Sequence, residues 1–218
     1  LLDGAFERLL LRPAFVSVLK KAQAAEPQVA YPEAHVTRCP RASLAMPGEA
    51  QQALDAVVVL RAAQSHGSGV VISPDGLALT AAHVVDGQEV TARYRDGSER
   101  KVTTLRIHRD QDVALIRIDN APATCVPEAA AEPGMGADIY AIGSPASTEL
   151  SFTLTRGIVS GSREFQGQRY LQTDASVNPG NSGGPLLDAE GRLSAIVSWK
   201  LAGVGIEGVS FGVPTAAA

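Results

Sequence analysis

The chain has 218 residues, 45% hydrophobic and 19% charged, enough apolar material for a sizeable core and against wholesale disorder. Nineteen Lys and Arg against 23 Asp and Glu leave a formal charge of −4, so no basic surplus exists to neutralise phosphates and no nucleic-acid partner is expected. Glycine (21) and proline (13) outnumber the 5% of aromatics, and no run of about eighteen apolar residues occurs, so a turn-rich β protein is favoured over a helical bundle and membrane contact is not indicated.

Residues 1–50 form a first division, an appendage and connector. Leu2, Phe6, Leu9 and Leu10, then Phe15, Val18 and Leu19, recur at helical spacing, and Pro13 starts a second helical segment or kinks the first. The first 25 residues lack the charge order and small-residue cleavage site of a signal peptide. Opening on Leu1 rather than Met, the chain reads as a processed or excised piece, with any leader or further domain outside it. Residues 26–47 are an irregular connector punctuated by Pro27, Pro32, Pro40 and Pro47. An appendage packed on the main domain is expected, with a partner-binding or membrane-facing helix as the sharper alternative. Cys39 and Cys125 have no metal-ligand spacing; they either form one disulfide in an exporting compartment or remain two buried thiols.

From residue 51 the period changes to two. Strand-like runs fall at 55–62, 68–74, 77–80, 88–95, 99–107 and 112–118, then at 137–142, 151–160, 168–173, 184–188, 192–199 and 208–213. Turn residues separate many of them, as at Pro74-Asp75-Gly76, Asp96-Gly97-Ser98, Gln166-Gly167-Gln168 and Ala189-Glu190-Gly191. Six plus six short strands, divided by a Pro-, Ala- and Glu-rich stretch at 121–136, predict an all-β domain over 51–218. It comprises two tandem six-stranded barrels, at about 52–120 and about 136–217.

Three short segments carry chemistry. Asn178-Pro179-Gly180-Asn181-Ser182-Gly183-Gly184-Pro185 sets glycines on both sides of a serine, which permits a tight loop with successive N–H groups aimed at one point. Such a concavity suits the oxyanion of an acyl-transfer intermediate, although the same string also serves as a structural turn. A serine hydroxyl needs an oriented base. His83 follows small residues in Leu79-Thr80-Ala81-Ala82-His83-Val84-Val85, where a strand meets one helical turn; its alternative is a satisfied core histidine. His35, His66 and His108 read as solvated surface groups. The orienting carboxylate should sit shielded at the head of an apolar strand, as Asp112 does before Val113-Ala114-Leu115-Ile116. Asp110 lies in a more polar stretch. The order is His, Asp, Ser, with two groups on the first barrel and one on the second, and a cleft between barrels can assemble them.

Thr80-Ala81-Ala82-His83, Asp112-Val113-Ala114-Leu115 and Gly180-Asn181-Ser182-Gly183-Gly184-Pro185-Leu186 resemble the three active-site blocks of chymotrypsin-like serine proteases. Ser68-Gly69-Val70-Val71-Ile72-Ser73-Pro74-Asp75-Gly76 and the run from Gln172 to Ser182 resemble the HtrA/Deg branch of that clan. The resemblance spans roughly residues 52–217. It implies a serine endopeptidase acting on extended protein or peptide, in protein quality control or processing, with Ser182 as nucleophile, His83 as base and Asp112 as orienter. Gly180 and Ser182 would supply the oxyanion N–H groups, with Asn181 shaping the loop. Ser198-Trp199-Lys200 would pair the substrate strand. Ser176 and Val177 would lie at the base of the specificity pocket and Lys200 and Gly208 at its entrance, which implies aliphatic rather than basic residues before the scissile bond. No organic cofactor is implied, and no His, Cys or carboxylate cluster has metal-ligand spacing. The resemblance implies a periplasmic or extracellular location and leaves a homo-oligomer open. The PDZ domains usual in that branch do not begin before Ala218. A peptide-binding or chaperone-like module with an inactive or conditionally active triad is the alternative function, and small-ester hydrolysis a third.

Overall fold

Short apolar runs bounded by turn residues become strands wherever both of their faces can be covered. In the computed structural model, residues 37–40, 43–63, 66–144, 152–165, 167–200 and 208–215 are described, the side chains of Trp199 and Lys200 excepted. The chain divides into two compact units, Leu1–Glu33 and Ala34–Ala218, and every described residue belongs to the second. The helical pattern expected over residues 2–19 lies outside the described residues.

The elements run α1 (Ala50–Asp55), β1 (Val57–Arg61), β2 (His66–Val71), β3 (Leu77–Thr80), α2 (Ala82–Val85), β4 (Thr91–Arg93), β5 (Glu99–His108) and β6 (Val113–Ile118). There follow β7 (Asp138–Gly143), β8 (Thr153–Phe165), β9 (Gln168–Thr173), β10 (Pro185–Leu187), β11 (Leu193–Lys200) and β12 (Ser210–Pro214). They close into two antiparallel barrels, β1-β2-β3-β6-β5-β4 and β10-β11-β12-β9-β8-β7, the architecture expected from the strand series. Closure leaves neither sheet with an unpaired edge strand.

Three local differences have physical causes. The run expected at 88–95 pairs only over Thr91–Arg93, because Tyr94 already closes a turn through its N–H to Ser98 O (2.9 Å) and its O from Gly97 N–H (3.0 Å). The ladder of β8 with β9 continues to Phe165↔Gln168. Its outer part exposes Ser162, Arg163 and Glu164, so no apolar alternation marks it. Residues 50–55 form a helix, the first strand beginning after it.

Alternate residues of the strands serve two different cores. Val58, Leu60, Val71, Ala78, Ala92, Ala114, Ile116 and Ile118 fill the first barrel. Ile139, Ala141, Val159, Leu171, Leu186, Ala195 and Val197 fill the second. Their neighbours Val57, Val70, Leu77, Tyr140, Ile142, Leu187 and Ile196 point the other way and pack together between the barrels. Burial on both faces explains why these strands read as continuous apolar runs.

The stretch between the barrels is held by both of them. Val126 N–H donates to Val71 O (2.9 Å), and Leu193 N–H donates to Pro127 O (2.7 Å). Cys125 is joined to Cys39 by a disulfide, which decides between the two readings of that pair. Leu44, 1% exposed, packs into the inter-barrel core, with Leu44 N–H on Glu190 O (2.6 Å) and Met46 N–H on Ala189 O (3.0 Å). The end of the connector is therefore built into the fold.

Candidate active site

His83 lies in α2, a single turn that follows β3 after Ala81, which is extended at ψ 140. Ala81 and Ala82 are buried, so the turn rests on the first barrel with the imidazole outward. Asp112 sits just before β6 with a left-handed backbone, φ 54. Aspartate tolerates that region better than most residues, and it is kept there only where the surroundings enforce it. Here Asp112 N–H donates to Arg109 O (3.1 Å) and Asp112 O accepts from Ala82 N–H (3.2 Å).

The same pairing aims the carboxylate at the ring. His83 N–H donates to Asp112 Oδ1 at 3.0 Å, and His83 Nδ1 lies 2.9 Å from each carboxylate oxygen. Ser198 Oγ donates to Oδ2 at 2.6 Å from the second barrel. A carboxylate held by two other donors makes Nδ1 the protonated ring nitrogen and leaves Nε2 with its lone pair, the tautomer a base requires. Desolvation of the ring disfavours its charged form. It is outweighed by the hydrogen bond to Asp112 and that residue's charge, so the His83 pKa is raised above 6.5. The side chain remains 53% exposed, open to a substrate.

Ser182 is carried by the loop between β9 and β10. Gly180 (φ 100) and Gly183 (φ 83) both use conformations that side chains rarely adopt. A Cβ on Gly180 would run into the Ser144 carbonyl, and one on Gly183 into Thr80 Oγ1 and the Ser68 carbonyl. The loop is braced by Asn181 N–H to Asn178 O (2.9 Å), Gly183 N–H to Val197 O (2.7 Å) and Gly184 N–H to Asn181 O (2.9 Å). Asn181 is 3% exposed. The N–H groups of Gly180 and Ser182 donate to no acceptor among the described residues. That pair can receive an oxyanion. Ser182 Oγ donates to Ser198 O at 3.4 Å, and among the described residues no hydrogen bond joins it to His83.

The residues expected to bind substrate separate into kinds. Ser176 is exposed, with its carbonyl accepting from Thr155 Oγ1 (3.0 Å), whereas Val177 is 6% exposed and belongs to the second-barrel core. Asp174 turns its carboxylate to Ile158 N–H (2.7 Å). Gly208 is exposed with φ 66. Trp199 and Lys200 pair through their backbones with Phe211 and Ser210; their side chains, on which the entrance expectation rests, lie outside the described residues.

Three contributors escape a reading of the sequence. Ser198, expected only along the substrate edge, holds the Asp112 carboxylate. Ser68 reaches the Ser182 loop from β2, Ser68 N–H donating to Ser182 O (2.8 Å) and Ser68 Oγ to Gly180 O (2.7 Å). His66, expected only as a solvated group, is exposed but has its Nε2 beside Gly180, 2.8 Å from where a Cβ would stand. The small residues Gly67 and Gly69 around Ser68 are the one local signal of close approach.

The family model of the trypsin-like peptidase domain matches residues 67–196. The chain is 40% identical over 162 residues to a probable periplasmic serine endoprotease DegP-like of Pseudomonas fluorescens, over 71% of this chain and 33% of that protein. It is 38% identical over 161 residues to a protein of the same description from Hahella chejuensis, over 70% and 34%. It thus spans about a third of the length of the curated relatives it matches. Among solved structures, the HtrA-type protease AlgW with tripeptide superposes with a TM-score of 0.70 at 32% identity, over 76% of this chain and 58% of that one. The serine endoprotease from Yersinia pestis gives 0.69 at 32% identity, over 77% and 61%.

Proposed function

Because the chain belongs to the trypsin-like peptidase family, in its HtrA branch, we propose that it is a serine endopeptidase cleaving protein or peptide in the periplasm. The observation that carries this reading is the oriented base: three donors converge on Asp112, and one of them is His83 Nδ1. To reach His83 Nε2, Ser182 Oγ has only its long 3.4 Å bond to Ser198 O to give up. Catalytic hydrogen bonds are commonly long before substrate arrives.

Ser182 Oγ then attacks the scissile carbonyl while Nε2 takes its proton, and Asp112 stabilises the imidazolium without becoming protonated. The N–H groups of Gly180 and Ser182 receive the oxyanion. Collapse expels the amine, protonated by His83, and a water repeats the sequence on the acyl-enzyme. The Cys39–Cys125 disulfide and the periplasmic description of the relatives both support an oxidising compartment.

A fluorophosphonate with intact mass and peptide mapping tests the chemistry. A single adduct on Ser182, abolished in His83→Ala, is expected; folded protein that takes none under any condition overturns it. The specificity reading has its own test. No carboxylate is expected on the pocket floor at Ser176, and Asp174 is committed to Ile158 N–H. An incoming Lys or Arg would be desolvated without an ionic partner. Cleavage sites mapped on an unfolded protein should follow Val, Ala, Ile or Leu, and cuts concentrated after Lys or Arg would refute this.

A conditionally active triad is the second reading, favoured by the direction of the Ser182 hydroxyl toward Ser198 O. It predicts that fluorophosphonate labelling accelerates when a non-cleavable peptide is added. Labelling at one rate with or without peptide removes it.

A further inference from the structure

Ser68 uses every polar atom it has. Its N–H donates to Ser182 O (2.8 Å), and its Oγ donates to Gly180 O (2.7 Å) while accepting from Ser144 N–H (3.2 Å). Its carbonyl accepts from Thr80 Oγ1 at 2.7 Å. The residue is 0% exposed and lies in β2 of the first barrel, 112 residues before Gly180 in the chain. Two of these bonds grip the carbonyls at either end of the three-residue arc Gly180-Asn181-Ser182. The Ser182 N–H lies between those two carbonyls, and the Gly180 N–H adjoins the first. Neither N–H has an acceptor among the described residues. Gly180 is also pressed from its Cα side by the Ser144 carbonyl and the His66 ring. Turning the Gly180 carbonyl out of this place would leave it and the Ser68 hydroxyl proton to find new partners in a buried site.

We propose that Ser68 is a positioning residue: its buried hydroxyl, by holding the Gly180 carbonyl, keeps the N–H groups of Gly180 and Ser182 aimed at the oxyanion. The inference rests on the acyl-transfer reading of Ser182. Removing an oxyanion donor outright costs about 10²–10³ in rate, so loosening the pair should cost about 10- to 100-fold. The first barrel, which supplies the base, then also sets the oxyanion site on the second.

The test uses the full chain with Ser68→Ala, Ser68→Cys and, as a destabilised control away from the loop, Leu44→Ala. Wild-type fluorophosphonate labelling at Ser182 first checks the underlying reading by itself. With that established, Ser68→Ala should lower the acylation rate with p-nitrophenyl butyrate by about 10- to 100-fold. It should weaken a peptidyl trifluoromethyl ketone, which binds as an oxyanion adduct, by the same factor. Binding of the amine-side product peptide, which places no carboxylate in the oxyanion site, should stay as in wild type. Ser68→Cys keeps the shape and a weak donor, so it should fall between; it carries the test if Ser68→Ala does not fold. Leu44→Ala should melt earlier with an unchanged acylation rate. The proposal is overturned if Ser68→Ala or Ser68→Cys acylates as wild type does. It is equally overturned if product peptide and trifluoromethyl ketone weaken together.

Discussion

Replacing Asp112 by asparagine isolates what the carboxylate does for the base. Asparagine is nearly isosteric and tolerates the left-handed backbone at φ 54, so the turn before β6 should survive. Its amide oxygen can take the His83 N–H that Oδ1 accepts at 3.0 Å. Its NH2 group then faces His83 Nδ1 and Ser198 Oγ, where Oδ2 stood 2.9 and 2.6 Å away. A donor there forces Nδ1 to accept, so the ring proton moves to Nε2 and the lone pair needed by Ser182 is lost. The imidazolium of the transition state also loses a contact charge, worth about 4 kcal/mol at an effective dielectric of 20. Adding about 1.4 kcal/mol for returning the ring to the productive tautomer gives about 5.4 kcal/mol, a loss on the order of 10⁴ in kcat. The remaining activity should have its pH midpoint below that of wild type, since the groups that raise the His83 pKa are gone and the opposing desolvation stays. The assay is the acylation rate with a p-nitrophenyl ester from pH 5 to 9, beside a melting curve confirming that the variant is folded. Activity within tenfold of wild type, or an unmoved midpoint, would refute the role given to Asp112.

In wild type, kcat/KM should rise with pH around a midpoint above 6.5, as His83 loses its proton; a rate flat from pH 5 to 8 would exclude a histidine base. The raised folded pKa also means that the His83 proton favours the folded state. Its stabilisation should be complete below about pH 6.5 and fade as pH rises through the folded value, read as a shrinking difference in Tm between wild type and His83→Gln. Converting Cys39 and Cys125 together to serine opens a cross-link between residues 86 apart, worth about 4–5 kcal/mol by chain entropy; a urea midpoint unchanged from wild type would contradict that. Leu44→Ala should cost about 2–5 kcal/mol, so deleting residues 1–50 should destabilise the domain far more than deleting 1–36. Equal urea midpoints for the two deletions would show that the connector contributes nothing to the core.

A strand's alternation and a turn's need for glycine are met within a few residues, so they are legible along the chain. That is why the two sets of six strands appear in the sequence, and why Gly180 and Gly183 mark the nucleophile loop. The small residues before His83 and the apolar run after Asp112 are legible for the same reason. The outer part of β8 was not, because exposure on both faces erases the pattern that burial imposes. The direction of a hydrogen bond across the barrels was not legible either. Ser198 reads as a strand residue of the substrate edge, and only the packing of one barrel on the other brings its hydroxyl to Asp112, 86 residues away. Ser68 looked like part of a glycine-flanked strand until the second barrel placed Gly180 O at 2.7 Å. The disulfide and the burial of Leu44 belong to the same class. Local patterning names the residues that can act, because it depends on neighbours in the chain. Which atoms meet depends on how two closed barrels pack, since contact distances are a property of the whole fold.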